Sequence, residues 1–182
     1  MVLGEQLYDV HVVTPNGGLL SNAFGMTIQT ECVSDFEFDT LLVGSPPDAR
    51  MTTNDILSTL KDGASKFRRI ASICVGAFIL GEAGLLDGHR STTHWMFGQE
   101  LQARYPKTRV EIDRMFIADG PIWTSAGMTS GIDMALGLIE RDLGRDKARE
   151  TARTMVVHHR RAGGQLQHSA LMEVEGKSDR VQ

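Results

Sequence analysis

The residue most able to do chemistry is Cys74, inside "RIASICVGAFILGE". An apolar, β-branched run reaches the cysteine, and a helix-like pattern follows Gly76. Where a strand turns sharply into a helix, the pivot residue is strained and its neighbours must be small, which Ser72 and Gly76 satisfy. The pivot side chain then stands in a cleft beside the first free amides of the helix, those of Val75 and Gly76, where negative charge is favoured. A cysteine there is expected to be partly thiolate at neutral pH. The residues alone leave three roles open: nucleophile, ligand-sensing position, or small buried side chain.

Other polar candidates are fewer. His94 lies beside Trp95 at a helix start, placed either to line the cleft or to cap and pack. The Gly127-Met128 turn and Thr129 open a long helix, whose amides either face a small polar ligand or are closed by an ordinary cap from Thr129. His158 and His159 are adjacent on a last helix, a poor arrangement for sharing a metal. There is no HExxH, Walker or GxGxxG pattern, so neither metal nor nucleotide cofactor is expected.

Positioning these residues requires strands alternating with helices. Strands are expected over Leu7–Pro15, 26–31, 39–44 (buried), 69–73 and a pair flanking Gly120-Pro121, with a short one before Thr93. Helices are expected from Thr53 with Ile56, Leu57, Leu60, Ala64 and Phe67 on one face; over Val75–Ala83, stopping at Gly84; and from about Thr93 to Pro106. Another follows Gly127, with Ile132, Ala135, Leu136, Ile139 and Leu143 as its stripe; Met134 and Leu138 lie off it, which implies burial on more than one side. The last runs from Asp146 to Gly163-Gly164 with Ala148, Ala152, Met155, Val156 and His159 on one side. This order implies a layered α/β fold with a mostly parallel central sheet. Sites then form at the carboxyl ends of strands, here Gly44–Pro47, Cys74–Gly76 and Ser125–Thr129.

The 182 residues suit one domain with a substantial core. A net charge of −4 argues against this chain alone gripping nucleic acid, although basic residues concentrate in 141–161. Two cysteines give no disulfide framework, no apolar run reaches the roughly 20 residues of a membrane span, and the N-terminus lacks a secretory pattern. A cytoplasmic protein without a membrane role is the expectation.

"SICVGAFILGEAGLLDGHRSTTHW", "TSAGMTSGIDMALGLIERDLG" and "VVHHRRAGGQLQ" together resemble the amidase-like, ThiJ/PfpI domain of AraC-type transcriptional regulators, a relative of class I glutamine amidotransferases. The resemblance spans about residues 7 to 168, and isonitrile hydratase resembles the first two blocks and part of the third. It implies a flavodoxin-like three-layer sandwich and a sensing domain over 1–164. Residues 165–182 would lead as a linker toward a helix-turn-helix module outside this chain. It further implies a homodimer, a small-molecule effector bound near Ser45, Cys74, Val75, Gly76, His94, Gly127, Met128 and Thr129, and DNA contact only through the absent module.

Three departures from the family pattern bear on catalysis. The opening strand and helix, which supply the acidic partner of the cysteine in related enzymes, are expected to be missing before Leu7, either because the sequence is a piece of a longer chain or because a neighbouring element substitutes. The loop that reads Pro-Gly-Gly-Pro in the family is Gly44-Ser45-Pro46-Pro47 here, and proline has no N–H to give an oxyanion. The histidine that follows the cysteine in protease-like members is Val75. The expected function is therefore sensing rather than catalysis; the alternative is a cysteine-dependent hydrolase, amidase or isonitrile hydratase-like enzyme with Cys74 as nucleophile.

Overall fold

The computed structural model describes residues 7–21, 25–45, 52–157 and 161–167. Its centre is a four-stranded sheet of β4 (Thr40–Val43), β5 (Arg69–Ile73), β9 (Ile122–Ser125) and β8 (Phe116–Asp119), in that order. β4, β5 and β9 run parallel, so their carboxyl ends share one edge; β8 and β9 form an antiparallel hairpin about Gly120. β1 (Val13–Thr14), β2 (Gly18–Ser21) and β3 (Thr27–Cys32) make a separate small sheet, and β6 (Arg90–Ser91) pairs with β7 (Arg109–Val110).

Strand alternation sends successive side chains to opposite faces of the central sheet. Ile70 and its partner Ile122 enter one apolar cluster with Val75, Phe78, Leu80, Leu86 and Leu101. Ala71 and its partner Trp123 enter another with Met134. The sheet is thus packed on both faces, the three-layer α/β arrangement expected from the sequence. On the first face lie α1 (Asn54–Gly63), α2 (Gly76–Glu82) and α3 (Gly98–Arg104); on the second lies α4 (Met128–Leu143), followed by α5 (Arg145–Thr154). α2 is apolar all round because it is enclosed: Gly76 through Gly81 are all buried. Burying Phe78 and Leu80 contributes about 1.5–3 kcal/mol each.

Several sequence expectations hold in detail. Thr53 caps α1, its hydroxyl accepting from the Ile56 amide at 3.4 Å, and Leu60 is buried beneath. α2 ends at Glu82 with Ala83 as its C-cap, and Gly84 follows at φ +77°. The strand pair expected about Gly120-Pro121 is the β8–β9 hairpin, and its Trp123 is core, stacked on Phe116 with ring centroids 6.4 Å apart.

Others are corrected. β4 is an edge strand of its sheet, with Leu42 50% exposed, not a buried strand. The Leu7–Pro15 run is regular strand only at Val13–Thr14, and Gly18–Ser21 forms a further strand that pairs antiparallel with β3. The helix expected from Thr93 begins as a 3₁₀ turn at Trp95–Phe97 before α3. On α4 the face toward the sheet carries Met134 and Leu138, while Ile132 is 39% exposed. α5 stops at Thr154, because Val156 takes φ +56°; Met155 and Val156 are exposed, not a packing stripe. His158 and His159 lie outside the described residues, as do Pro46, Pro47 and 168–182.

Candidate functional site

The strand-to-helix pivot is where the sequence places it. Cys74 directly follows β5 and has φ +55°, one of two non-glycine residues with positive φ among the described residues. A left-handed conformation costs an ordinary side chain about 1–2 kcal/mol, so the surroundings must hold it. They do so through the backbone. The Cys74 amide donates to the carbonyls of Ser125 (3.1 Å) and Ala126 (3.0 Å) at the end of β9. The Cys74 carbonyl accepts from the Thr93 hydroxyl at 2.8 Å. The small-neighbour requirement is met on the side of β4: a Cβ on Gly76 would stand 2.5 Å from the Val43 carbonyl oxygen and 3.4 Å from Ser72 Cβ.

The thiol itself departs from expectation. It is half-buried, and burial, which disfavours the thiolate, pushes its pKa up; the Val75 amide hydrogen-bonds it and pulls the other way, but the net direction is upward. Desolvation thus works against the partly ionised thiol expected from the helix start. Val75 is completely buried and offers its backbone only.

His94 follows the threonine that holds Cys74. Its Nδ1 accepts from the Met96 amide at 3.3 Å, capping the 3₁₀ turn. Its ring edge rests on Gly127, where a Cβ would lie 2.9 Å from His94 Cδ2. The capping and packing role is therefore filled, and the same contact brings the His94 loop against the start of α4. Gly127, not Thr129, is the N-cap residue of that helix, and Met128 is its first residue. Thr129 lies one residue further in, and its hydroxyl accepts from Arg161 at 3.0 Å. Ser45 lies just beyond β4 on the same sheet edge and is half-buried. Cys74, Val75, Gly76, His94 and Gly127 are thus gathered at one edge. Thr129 is turned to another partner.

Sequence reasoning missed what supports this edge. Thr92 is tied to the sheet, its amide donating to Thr124 Oγ1 on β9 at 2.8 Å. Gln167, 8% exposed, pushes its amide under the same loop. Its Nε2 donates to the carbonyls of Ile112 (2.7 Å), Thr93 (2.9 Å) and Arg114 (3.0 Å), and its Oε1 accepts from the Trp95 amide at 2.9 Å. Asp133, buried on α4, accepts from both the backbone and the guanidinium of Arg161 at 2.8 Å. One signal was available: Asp133 sits among the small residues Ser130 and Gly137 at helical spacing, a buried position where a carboxylate needs a cation.

Residues 1–141 match the DJ-1/PfpI family. The chain belongs to that family. Among curated DJ-1/PfpI relatives, the HTH-type transcriptional regulator GbdR of Pseudomonas aeruginosa is 31% identical over 79% of this chain and 40% of its own length. Isonitrile hydratase of Pseudomonas putida is 35% identical over 54% of this chain and 42% of its own. The chain therefore spans less than half the length of these relatives. Among solved structures, an AraC family transcriptional regulator from Pseudomonas putida superposes with a TM-score of 0.72 at 20% identity, over 85% of this chain and 84% of that one, which supports the shared fold. The DJ-1/PfpI flavodoxin-like architecture agrees with the two-sided packing described above.

Proposed function

We propose that this DJ-1/PfpI chain is the small-molecule-sensing domain of an AraC-type transcriptional regulator and that its Cys74 edge binds an effector without turning it over. The observation that carries the reading is the placement of the thiol: Cys74 is half-buried at the strand-to-helix pivot, where desolvation disfavours the thiolate, which suits a hydrogen-bonding contact better than a nucleophile. The regulator relatives support it. The effector class is a small polar metabolite, nitrogen-containing or amide-like, seated near Ser45, Cys74, His94 and Gly127. The sensing unit, expected to end at 164, extends through Gln167, whose buried amide is held by the domain, and the chain beyond leads to a helix-turn-helix module that makes the DNA contact. The protein acts in the cytoplasm as a homodimer. No described helix is long and apolar enough to cross a membrane.

A second reading has its own support. The strained φ at Cys74, the Val75 amide against its sulfur and the partial likeness to isonitrile hydratase favour a cysteine-dependent hydrolase, amidase or hydratase. One experiment separates the two. A panel of small amides, amines and isonitriles is screened by thermal shift and by turnover with the wild type and Cys74→Ser. The sensing reading expects a stabilising compound, unconsumed, whose effect weakens in Cys74→Ser. Turnover abolished by Cys74→Ser would establish the enzyme instead.

A further inference from the structure

Residues 161–167 cross the domain from the buried carboxylate of α4 to the loop beside the pivot. Arg161 is held by Asp133 and by Thr129. Gly163 lies against β8, where a Cβ would come 2.7 Å from the Phe116 carbonyl oxygen. Arg114 donates to the Gly164 carbonyl, and the Met115 amide donates to the Gln165 carbonyl at 3.0 Å. Further along the segment stands Gln167. Three carbonyls surround one end of its amide and an N–H meets the other, so only one orientation of the group satisfies both.

From there two hydrogen bonds reach the pivot. Gln167 Nε2 donates to the Thr93 carbonyl, and the Thr93 hydroxyl donates to the Cys74 carbonyl. Cys74 is the residue whose backbone is strained and is held by such bonds. Gln167 is also the residue from which the chain continues into 168–182. A side chain serving only to fill this space would be apolar; a buried amide with every donor and acceptor met fixes one register of the segment.

We propose that residues 161–167 are a strap coupling the Cys74 edge to the chain that follows, with Gln167 as the positioning residue that transmits between them through Thr93. The purpose of the strap rests on the sensing reading. An effector that shifts the pivot shifts the Thr93 carbonyl, and with it the seat of Gln167. By reciprocity, whatever stabilises one seat of Gln167 biases the pivot by the same free energy.

The test is amide hydrogen exchange on the 182-residue chain, wild type against Gln167→Ala. The Trp95 amide reports the Gln167 seat directly, and the Cys74 amide reports the pivot. Both are expected to exchange roughly 5- to 150-fold faster, the usual span of a coupling between sites, while amides of the β5–β9 pair keep their protection. A faster Trp95 with an unchanged Cys74 overturns the proposal, because Gln167 then serves its own loop only. An equal rise at every core amide also overturns it, because Gln167 is then merely a stabilising plug. Should Gln167→Ala fail to fold, Gln167→Met keeps the volume, removes the bonds and is read by the same criteria. Adding Thr93→Val must abolish the effect of Gln167→Ala on Cys74; an undiminished effect excludes the route through Thr93. No ligand enters the measurement, so a failed effector search leaves the coupling standing, and a failed coupling leaves effector binding untouched.

Discussion

Gly76 and Val43 are in van der Waals conflict for any side chain but hydrogen: a Cβ at position 76 would stand 2.5 Å from the Val43 carbonyl oxygen. The obstacle is backbone of the neighbouring strand, so it does not swing aside. This single closeness lets α2 start directly over the sheet edge and sets where Cys74 stands.

Gly76→Ala is the first prediction. In an ordinary helix, alanine stabilises relative to glycine by about 1 kcal/mol. Here the clash dominates, and overpacking of this kind typically costs about 1–3 kcal/mol or more. Urea denaturation should therefore show a destabilised variant. A midpoint at or above that of the wild type would mean that α2 does not pack on β4 as described.

The pivot strain gives a second. Cys74→Gly and Cys74→Ala remove the same thiol, but only glycine tolerates φ +55° without penalty. The glycine variant is expected to be more stable than the alanine variant by about 1 kcal/mol, read as the difference in unfolding free energy. Equal stabilities would show that Cys74 carries no backbone strain.

Much of this was legible in the sequence, for identifiable reasons. The pivot, the cap at Thr53, the hairpin about Gly120 and the three convergent strand ends each rest on local chemistry that tertiary context reinforces. What escaped depends on distant partners. Gln167 reads as one polar residue in a tail, and its role exists only because the carbonyls of Thr93, Ile112 and Arg114 converge on it. The desolvation of Cys74 is likewise hidden, because the sequence displays the helix start but not the depth of burial. The length of α5 was overestimated because apolar spacing continued past Val156, where the backbone turns left-handed.

The thiol environment predicts a pH profile. Alkylation by iodoacetamide follows the thiolate fraction, and burial pushes that ionisation of Cys74 upward. At pH 7 Cys74 should react more slowly than N-acetylcysteine, with the rate still climbing above the usual thiol range near pH 8.5. Mass spectrometry of the Cys74 peptide across pH 6–10 provides the measurement. A rate already level at pH 7 would restore the activated thiol and favour the enzymatic reading.

At the opposite edge of the sheet, Arg69 is nearly buried and pairs with Asp142, Nη1 to Oδ1 at 3.0 Å, while Arg68 bridges Asp142 and Asp39. Burial works to raise the Asp142 carboxyl, but the Arg69 and Arg68 guanidiniums outweigh it and hold it below the usual range. Hydrogen bonds from Arg68 and Thr40 lower Asp39 to about 2. Both groups bind protons more tightly in the unfolded chain, so stability rises with pH across this window. Their contribution is complete above the unfolded value near 4 and is lost as pH falls through the depressed native values. Asp39 is largely exposed, so solvent screening leaves the buried pair as the main term. Asp142→Asn leaves Arg69 only the more distant Asp39 carboxylate at 3.6 Å and the Thr40 hydroxyl, and should cost about 1–3 kcal/mol at neutral pH. It should also flatten the loss of stability between pH 4 and 2, because one carboxylate whose protonation drives that loss is gone. Urea midpoints at pH 7, 4 and 3 for both proteins check the two effects together; an unchanged midpoint at pH 7 would mean that the Arg69–Asp142 pair does not hold the base of β5.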